Sequence, residues 1–126
     1  VVVQSERDAN RMSLSLALSD EYLARHPEIE ERWLTLIRRW PIPRHVFAAQ
    51  LAAAATHRSA RRLPQVTTPT LLITGNADVL IPPSNTRRLH ELLPNARIEW
   101  IVGAGHDFPT EAPDETTRLI AEFLLH

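Results

Sequence analysis

The second half of the chain contains two predicted strands that each end at a glycine, and this arrangement constrains the fold more than any other feature. Residues 70–74 form the first strand, an apolar run that Gly75 closes, and residues 97–102 form the second strand, which Gly103 closes. The first run has no polar alternation, which is typical of a strand buried on both faces. All 3 glycines of the sequence lie in this half, so we expect its tight backbone turns there.

Each predicted strand is followed by a predicted helix. Ser84 follows two prolines and is a residue type that caps helices, while Pro94 ends that helical pattern and Pro113 lies near the start of the next. The residues expected to face inward are Leu89, Leu92 and Leu93 in the first of these helices and Ile120, Phe123 and Leu124 in the second. The order strand, helix, strand, helix predicts an α/β fold containing a βαβ unit of a parallel sheet.

The first half of the chain has a helical pattern. Helices are predicted over about residues 9–25, 28–40 and 44–57. The apolar residues that share a helical face are Ile29, Trp33, Leu36 and Trp40 in the second helix and Phe47, Leu51 and Ala55 in the third. Residues 1–3, all valine, fit either the stub of a strand or the lead-in to the first helix, and the pattern does not decide between them.

Composition excludes several classes of function. The chain has no cysteine, which rules out thiol catalysis, disulfides and thiolate zinc sites. All 14 basic residues are arginine, so Schiff-base chemistry and a phosphate-loop lysine are excluded as well. A formal net charge of -1 gives no electrostatic footprint for nucleic acid or an anionic membrane. No apolar run reaches the roughly 20 residues of a membrane span, and no leader pattern is seen, so we expect a cytoplasmic protein.

One carboxylate and one imidazole follow the two predicted strands. Asp78 lies in the loop after Gly75, and His106 lies in the loop after Gly103. The carboxyl ends of neighbouring parallel strands meet at one edge of a sheet about 5 Å apart, so we expect the two side chains within hydrogen-bonding distance. A carboxylate on one ring nitrogen fixes the histidine tautomer and stabilises the imidazolium that forms when the other nitrogen accepts a proton. The pair therefore predicts general acid–base chemistry.

The sequence contains no recognisable nucleophile for this pair. No Gly-x-Ser-x-Gly motif occurs, and no serine lies in a strand–turn–helix context. Two strands also leave an apolar edge unpaired, because a sheet of this kind needs further strands to be stable in water. We therefore expect an incomplete domain whose other strands lie upstream of Val1, on another chain or across a dimer interface.

Three segments of the sequence resemble the α/β-hydrolase superfamily. Residues 62–78 and 81–83 are similar to its acid-bearing region, and residues 103–106 (Gly-Ala-Gly-His) are similar to its histidine loop. Pro113 and the helix that carries Phe123 resemble the final helix of that fold. The similarity is to the capped branch that contains esterases, enol-lactone hydrolases and cofactor-free haloperoxidases, and it covers essentially the whole chain.

The resemblance implies an organisation and a mechanism. Residues 1–61 would form a helical cap, and residues 62–126 would form the last two strands and helices of an α/β-hydrolase fold. Asp78 and His106 would be the acid and the base of a Ser–Asp–His triad, whose serine and oxyanion hole come from outside this chain. The implied substrate is a carboxylic ester, a lactone or a similar acyl compound, and neither a cofactor nor a metal is implied. The chain alone is then not expected to be active.

Several apolar residues are candidates for the substrate pocket. The neighbours of the predicted pair in the sequence are Val79, Leu80 and Phe108, and the candidates under the cap are Trp33, Trp40 and Phe47. For the three cap residues, helical spacing favours ordinary packing over a pocket. Asp107 is interpreted as structural. The segment that begins at His90 resembles a zincin helix, but Pro94 stands where the second metal ligand is required, so no metal site is predicted.

A second hypothesis is not catalytic. The chain could serve as an assembly subunit, or it could be a decayed or split piece of a hydrolase. In either case it would pair with a partner or a second copy through its exposed strand edge. The unpaired apolar strand over residues 70–74 motivates this hypothesis. A stable monomer in solution would count against it.

Overall fold

The computed structural model describes residues 6–125, which form seven α-helices, a short 3₁₀ helix and one sheet of two strands. The first half contains α1 (Glu6–Ala17), α2 (Asp20–Arg25), α3 (Ile29–Arg39), α4 (Arg44–Thr56) and the 3₁₀ helix Leu63–Gln65. The second half contains β1 (Thr70–Gly75), α5 (Pro83–Leu92), β2 (Ala96–Ile101), α6 (Phe108–Glu111) and α7 (Pro113–Leu125). The predicted order of strands and helices is confirmed, and Val1–Val3 lie outside the described range.

The two strands pair in parallel, as predicted. The register runs from Thr70 opposite Ala96 to Gly75 opposite Ile101. Both strands therefore end at the same edge, and the loops that follow them start side by side. The core beneath this edge consists of Ile101, Ala104 and Leu119, with Ile73, Phe108 and Ala112 packed around it.

Gly75 closes β1 for a steric reason. A β-carbon at this position would lie 2.1 Å from the carbonyl oxygen of Ala104 and 2.3 Å from that of Gly105. No side chain fits there, because both contacts are to backbone atoms that cannot move aside independently. The glycine thus allows the loops after β1 and β2 to approach each other directly.

Two details of the predicted helices in this half are corrected. Helix α5 begins at Pro83, with Pro82 at the N-cap position, so Ser84 lies inside the helix and does not cap it. The two prolines fix the backbone angle that a helix start needs, which explains the earlier boundary. In α7 the buried residues are Thr116 and Leu119. The predicted inward face is wrong for Ile120 and Leu124, which are 43% and 74% exposed, because α7 packs through the neighbouring face.

The first predicted helix is interrupted in the structure. Its chain breaks at Leu18 and Ser19, and Ser19 caps α2 by accepting a hydrogen bond from the backbone N–H of Tyr22 at 3.2 Å. Helix α1 packs against α3, and Leu14, Leu18 and Ile29 form a second small core. The break places Ser19 beside the second half of the chain, where its N–H donates a hydrogen bond to Glu111.

Helices α3 and α4 bury fewer apolar residues than the pattern predicts. Leu34, with 1% of its surface exposed, is the most buried residue of α3, whereas Leu36 and Trp40 are 45% and 61% exposed. Among the residues that the structure describes, no α4 side chain is buried, although α4 carries Phe47 and Leu51. None of the helices between residues 6 and 125 has the length and apolar character needed to cross a bilayer.

Candidate active site

The loop after β1 holds Asp78 through local hydrogen bonds. The side chain of Asp78 is only 4% exposed. Its Oδ1 atom accepts hydrogen bonds from the backbone N–H groups of Leu80 at 2.9 Å and Ile81 at 2.8 Å. Because two donors from the same loop converge on one oxygen, the carboxyl group is fixed in orientation and its second oxygen points elsewhere.

The loop after β2 is joined to the Asp78 loop by polar contacts. Asn76 Oδ1 accepts a hydrogen bond from the Gly103 N–H at 2.7 Å, and the Ala77 N–H donates to the Ala104 carbonyl at 2.9 Å. Gly103 has a φ angle of 79°, which residues with a side chain rarely adopt. This conformation turns the chain after β2. The two loops therefore form one connected unit at the carboxyl edge of the sheet.

The structure brings Asp78 and His106 together. His106 Nδ1 lies 2.9 Å from Asp78 Oδ2, so the two carboxylate oxygens have separate partners. Since a carboxylate can only accept, this contact assigns the ring proton to Nδ1 and leaves Nε2 as a proton acceptor. The His106 side chain is 44% exposed, against 4% for Asp78. A buried carboxylate thus orients an accessible imidazole through the hydrogen bond that the sequence predicts.

Sequence reasoning missed a third polar residue at this edge. Glu111, at the end of α6, accepts hydrogen bonds from the backbone N–H groups of Ser19 at 2.9 Å and Gly105 at 2.8 Å, and from the Ser19 hydroxyl. The helix-start signature Ser-Asp-Glu at residues 19–21 could have indicated the break that presents Ser19. No local signal marks Glu111 itself, since Ser19 is 92 residues away in the sequence.

Three of the predicted pocket residues lie near the loops that carry the pair. Val79 and Leu80 are 65% and 44% exposed beside Asp78, and Val79 helps to line a cavity of about 480 Å³ between the α1–α2 break and the strand ends. Trp33 lines a second cavity of about 410 Å³, together with Asp107 and Thr110. Both cavities lie next to the loops that carry the Asp78–His106 pair.

The remaining pocket candidates lie in different surroundings. Phe108 packs against the core of Ile101, Ala104 and Leu119, so it supports the histidine loop from below. Trp40 and Phe47 are 61% and 60% exposed, so the described structure does not enclose them in a pocket. Asp107 precedes α6 at the N-cap position and accepts a hydrogen bond from the Thr110 hydroxyl at 2.7 Å, which agrees with its structural interpretation.

A larger cavity of about 840 Å³ lies away from the pair. It is lined by the segment after α4 and by α5, with His57, Leu63, Arg88 and Leu89 among its residues. Neither Asp78 nor His106 contributes to it. Among residues 6–125 there is no group of three or more acidic or histidine side chains arranged to hold a metal ion. The polar geometry, and not the cavity size, therefore defines the candidate site.

The fold and the pair define a class of protein. A parallel strand–helix–strand–helix unit that presents a buried carboxylate and then a histidine at its carboxyl edge has the topology of the C-terminal part of an α/β-hydrolase fold. The family model described as "Serine hydrolase (FSH1)" matches residues 30–117. The chain belongs to this serine hydrolase family within the α/β-hydrolase superfamily.

Individual proteins agree with this assignment. A relative from Cronobacter turicensis, named "Putative carbamate hydrolase RutD", is 35% identical over 71 residues, which cover 56% of this chain and 27% of the relative. The solved structure of a thermophilic esterase from Thermogutta terrifontis is 29% identical, with a TM-score of 0.78 over 92% of this chain and 42% of the esterase. The enol-lactonase from Burkholderia xenovorans LB400, at 19% identity, shows the fold alone, with a TM-score of 0.84 over 98% of this chain and 46% of the lactonase. The chain thus spans less than half the length of these proteins.

Proposed function

We propose that this chain supplies the acid and the histidine of a serine hydrolase that cleaves a carboxylic ester, a lactone or a related acyl compound. The observation that carries the proposal is the 2.9 Å hydrogen bond between His106 Nδ1 and the buried carboxylate of Asp78. The family match supports a serine nucleophile, and the similarity to a thermophilic esterase supports an acyl substrate. The name of the carbamate hydrolase relative fits the same general chemistry at a carbonyl carbon.

The proposed mechanism uses the free ring nitrogen of His106. Nε2 accepts the hydroxyl proton of the serine as the serine oxygen attacks the substrate carbonyl carbon. The imidazolium then donates this proton to the leaving oxygen, and a water molecule repeats the sequence on the acyl-enzyme. Asp78 stays ionised throughout and stabilises the imidazolium. The serine and the oxyanion-hole amides are supplied by protein outside these 126 residues.

The proposal includes an organisation of the whole enzyme. Residues 1–61 act as the helical cap, and residues 62–126 complete the sheet of the α/β-hydrolase fold. The remaining strands, on the same gene product or on a second chain, pair with the open edge of β1, since β1 has one strand partner among the described residues. A chain without cysteine needs no oxidising compartment, which suits the proposed cytoplasmic location.

A second candidate is a non-catalytic assembly subunit. The observation that favours it is the exposed apolar surface of the first half, where Trp40, Phe47 and Leu51 are 61%, 60% and 62% exposed. An assembly subunit would be oligomeric or bound to a partner, so light scattering that finds a stable monomer would contradict it.

The decisive experiment removes the base from a complete hydrolase that contains this segment. We expect His106→Ala to lower kcat for a p-nitrophenyl ester by about a million-fold. His90→Ala is the matched control, because His90 is exposed on α5 and away from the pair, and its kcat should be unchanged. Full esterase activity in the His106→Ala enzyme would refute the proposal. The 126-residue chain alone should not be labelled by a fluorophosphonate probe.

A further inference from the structure

The carboxylate of Glu111 joins two parts of the molecule that are far apart in the sequence. Its Oε1 atom accepts hydrogen bonds from the Ser19 N–H at 2.9 Å and the Gly105 N–H at 2.8 Å. Its Oε2 atom accepts a short hydrogen bond from the Ser19 hydroxyl. Ser19 is 8% exposed, and Gly105 is buried as well. One half-buried anion therefore satisfies donors that water does not reach easily.

The residues on both sides of His106 are held by hydrogen bonds from their backbone N–H groups. Gly105, which precedes His106, donates to Glu111, and Asp107, which follows it, donates its N–H to the Ala17 carbonyl at 2.7 Å. Ala17 and Ser19 flank the break between α1 and α2. The backbone of the histidine loop is thus tied to the helical half of the chain on either side of the imidazole.

The packing around Gly105 leaves little room for a side chain at this position. A β-carbon at this position would lie 2.9 Å from the Ser19 nitrogen and 3.0 Å from Glu111 Oε1. The loop therefore approaches the α1–α2 break as closely as a backbone without a side chain allows. Loss of the Glu111 carboxylate would leave the buried N–H groups of Ser19 and Gly105 without an acceptor, which favours a shift of the loop.

We propose that Glu111 is a positioning residue for His106. It acts through Gly105: by fixing the backbone before His106, it keeps the imidazole at hydrogen-bonding distance from Asp78. The catalytic consequence rests on the proposed function, but the positioning itself concerns only the geometry of the His106–Asp78 pair. A purely structural role would make Glu111 important for folding without affecting which ring nitrogen of His106 carries the proton.

The test measures the state of the His106 ring directly. A complete hydrolase that contains this segment is labelled with ¹⁵N at histidine, and long-range ¹H–¹⁵N correlation spectra report the tautomer of each histidine. We expect the wild-type His106 to show a protonated Nδ1. Asp78→Asn provides the reference for a ring that has lost its anionic partner. In Glu111→Ala we expect the His106 signals to move to a mixture of the two tautomers.

Two further substitutions separate the roles of charge and geometry. Glu111→Gln retains an oxygen that accepts from both N–H groups, and its amide group can donate to the Ser19 hydroxyl oxygen, so we expect the wild-type His106 signals. Glu111→Asp retains the charge but withdraws the carboxylate by one methylene group, so we expect a partial shift toward the tautomer mixture. Glu115→Ala is the matched control, since it removes an exposed carboxylate of α7, and it should leave the His106 signals unchanged.

The outcomes decide the proposal in every case. A folded Glu111→Ala chain with wild-type His106 signals would overturn it, and so would a folded Glu111→Gln chain with displaced His106 signals. If Glu111→Ala does not fold, Glu111→Asp gives the decision, and unchanged His106 signals in that variant would overturn the proposal. No hydrolysis is needed for these measurements. Failure of the proposed enzymatic function would instead show as an inactive complete enzyme with an intact His106–Asp78 signature.

Discussion

Residues 6–125 include two contacts between a histidine Nδ1 atom and a carboxylate oxygen, and their surroundings differ sharply. His106 lies 2.9 Å from Asp78, and His26 lies 3.0 Å from Glu28. The carboxylate side chain is 4% exposed in the first pair and 70% exposed in the second. The two partners are 28 residues apart in the first pair and 2 residues apart in the second.

The difference between the pairs shows what distinguishes a candidate site from a surface contact. The Asp78 carboxylate has two further backbone donors, and the His106 loop is fixed by Glu111 and Ala17. The Glu28 carboxylate is mostly solvent-exposed, and water screens such an ion pair so strongly that it contributes little to stability. Distance alone therefore does not distinguish the candidate pair from a surface contact, whereas burial of the carboxylate and anchoring of the loops do.

The largest expected effect concerns catalysis and separates the pairs most clearly. In a complete hydrolase we expect Asp78→Asn to lower kcat by about ten-thousand-fold, because an asparagine no longer fixes the reactive tautomer or stabilises the imidazolium. Glu28→Gln is the matched change in the exposed pair and should leave kcat unchanged. Steady-state kinetics with an aryl ester measures both. Equal losses in the two variants would contradict the distinction drawn between the pairs.

The second prediction concerns the backbone contact on which the buried pair depends. We expect Gly75→Ala to reduce the free energy of unfolding by about 3 kcal/mol, because the new methyl group would collide with the carbonyl oxygen of Ala104. Urea unfolding measures the change as a lower midpoint. Since the clash separates the two loops, the His106–Asp78 contact should also be lost in the folded fraction, and the His26–Glu28 contact should persist.

Gly103 provides a control of a different physical kind. A β-carbon there would meet nothing within 4 Å, but the φ angle of 79° is unfavourable for alanine. We expect Gly103→Ala to reduce the free energy of unfolding by about 1 kcal/mol, from backbone strain alone. Equal free energies of unfolding for Gly75→Ala and Gly103→Ala would show that the loops after β1 and β2 can separate easily, which would contradict the close packing at Gly75.

The strands and the buried pair could be predicted because their signals are local. Two strand patterns that each end at a glycine, with Asp78 in the first following loop and His106 in the second, are enough to place both residues at one sheet edge. Glu111 could not be predicted, because its importance depends on Ser19, which the fold alone brings near. The assignment of residues 1–61 as the cap stays a prediction.

The helical faces were harder to predict for a related reason. Periodicity shows which residues share a face, but the neighbouring elements decide which part of that face is covered. Leu34 and Leu119 are buried where α3 and α7 contact other elements, whereas Trp40 and Phe47 have the right spacing and are exposed. An apolar pattern in a helix therefore indicates a surface to be covered and does not identify what covers it.

The smallest expected effect concerns the exposed pair and its dependence on pH. A hydrogen bond from its own backbone N–H, followed by the contact with His26, lowers the pKa of Glu28 below its ordinary value of 4.5. A lowered pKa in the folded state means that the pair adds stability above pH 4.5 and that this contribution is lost as the pH falls through the lower folded value. NMR titration of the Glu28 carboxyl carbon should show the lowered pKa, and His26→Ala should move it only part of the way back, because the backbone hydrogen bond persists. The control is Asp78→Asn. The pKa of Glu28 in this variant should equal that of the wild type, since the two pairs have no residue in common. A Glu28 titration that changes with Asp78→Asn would show that the two halves are coupled beyond the contacts of Glu111 and Ala17.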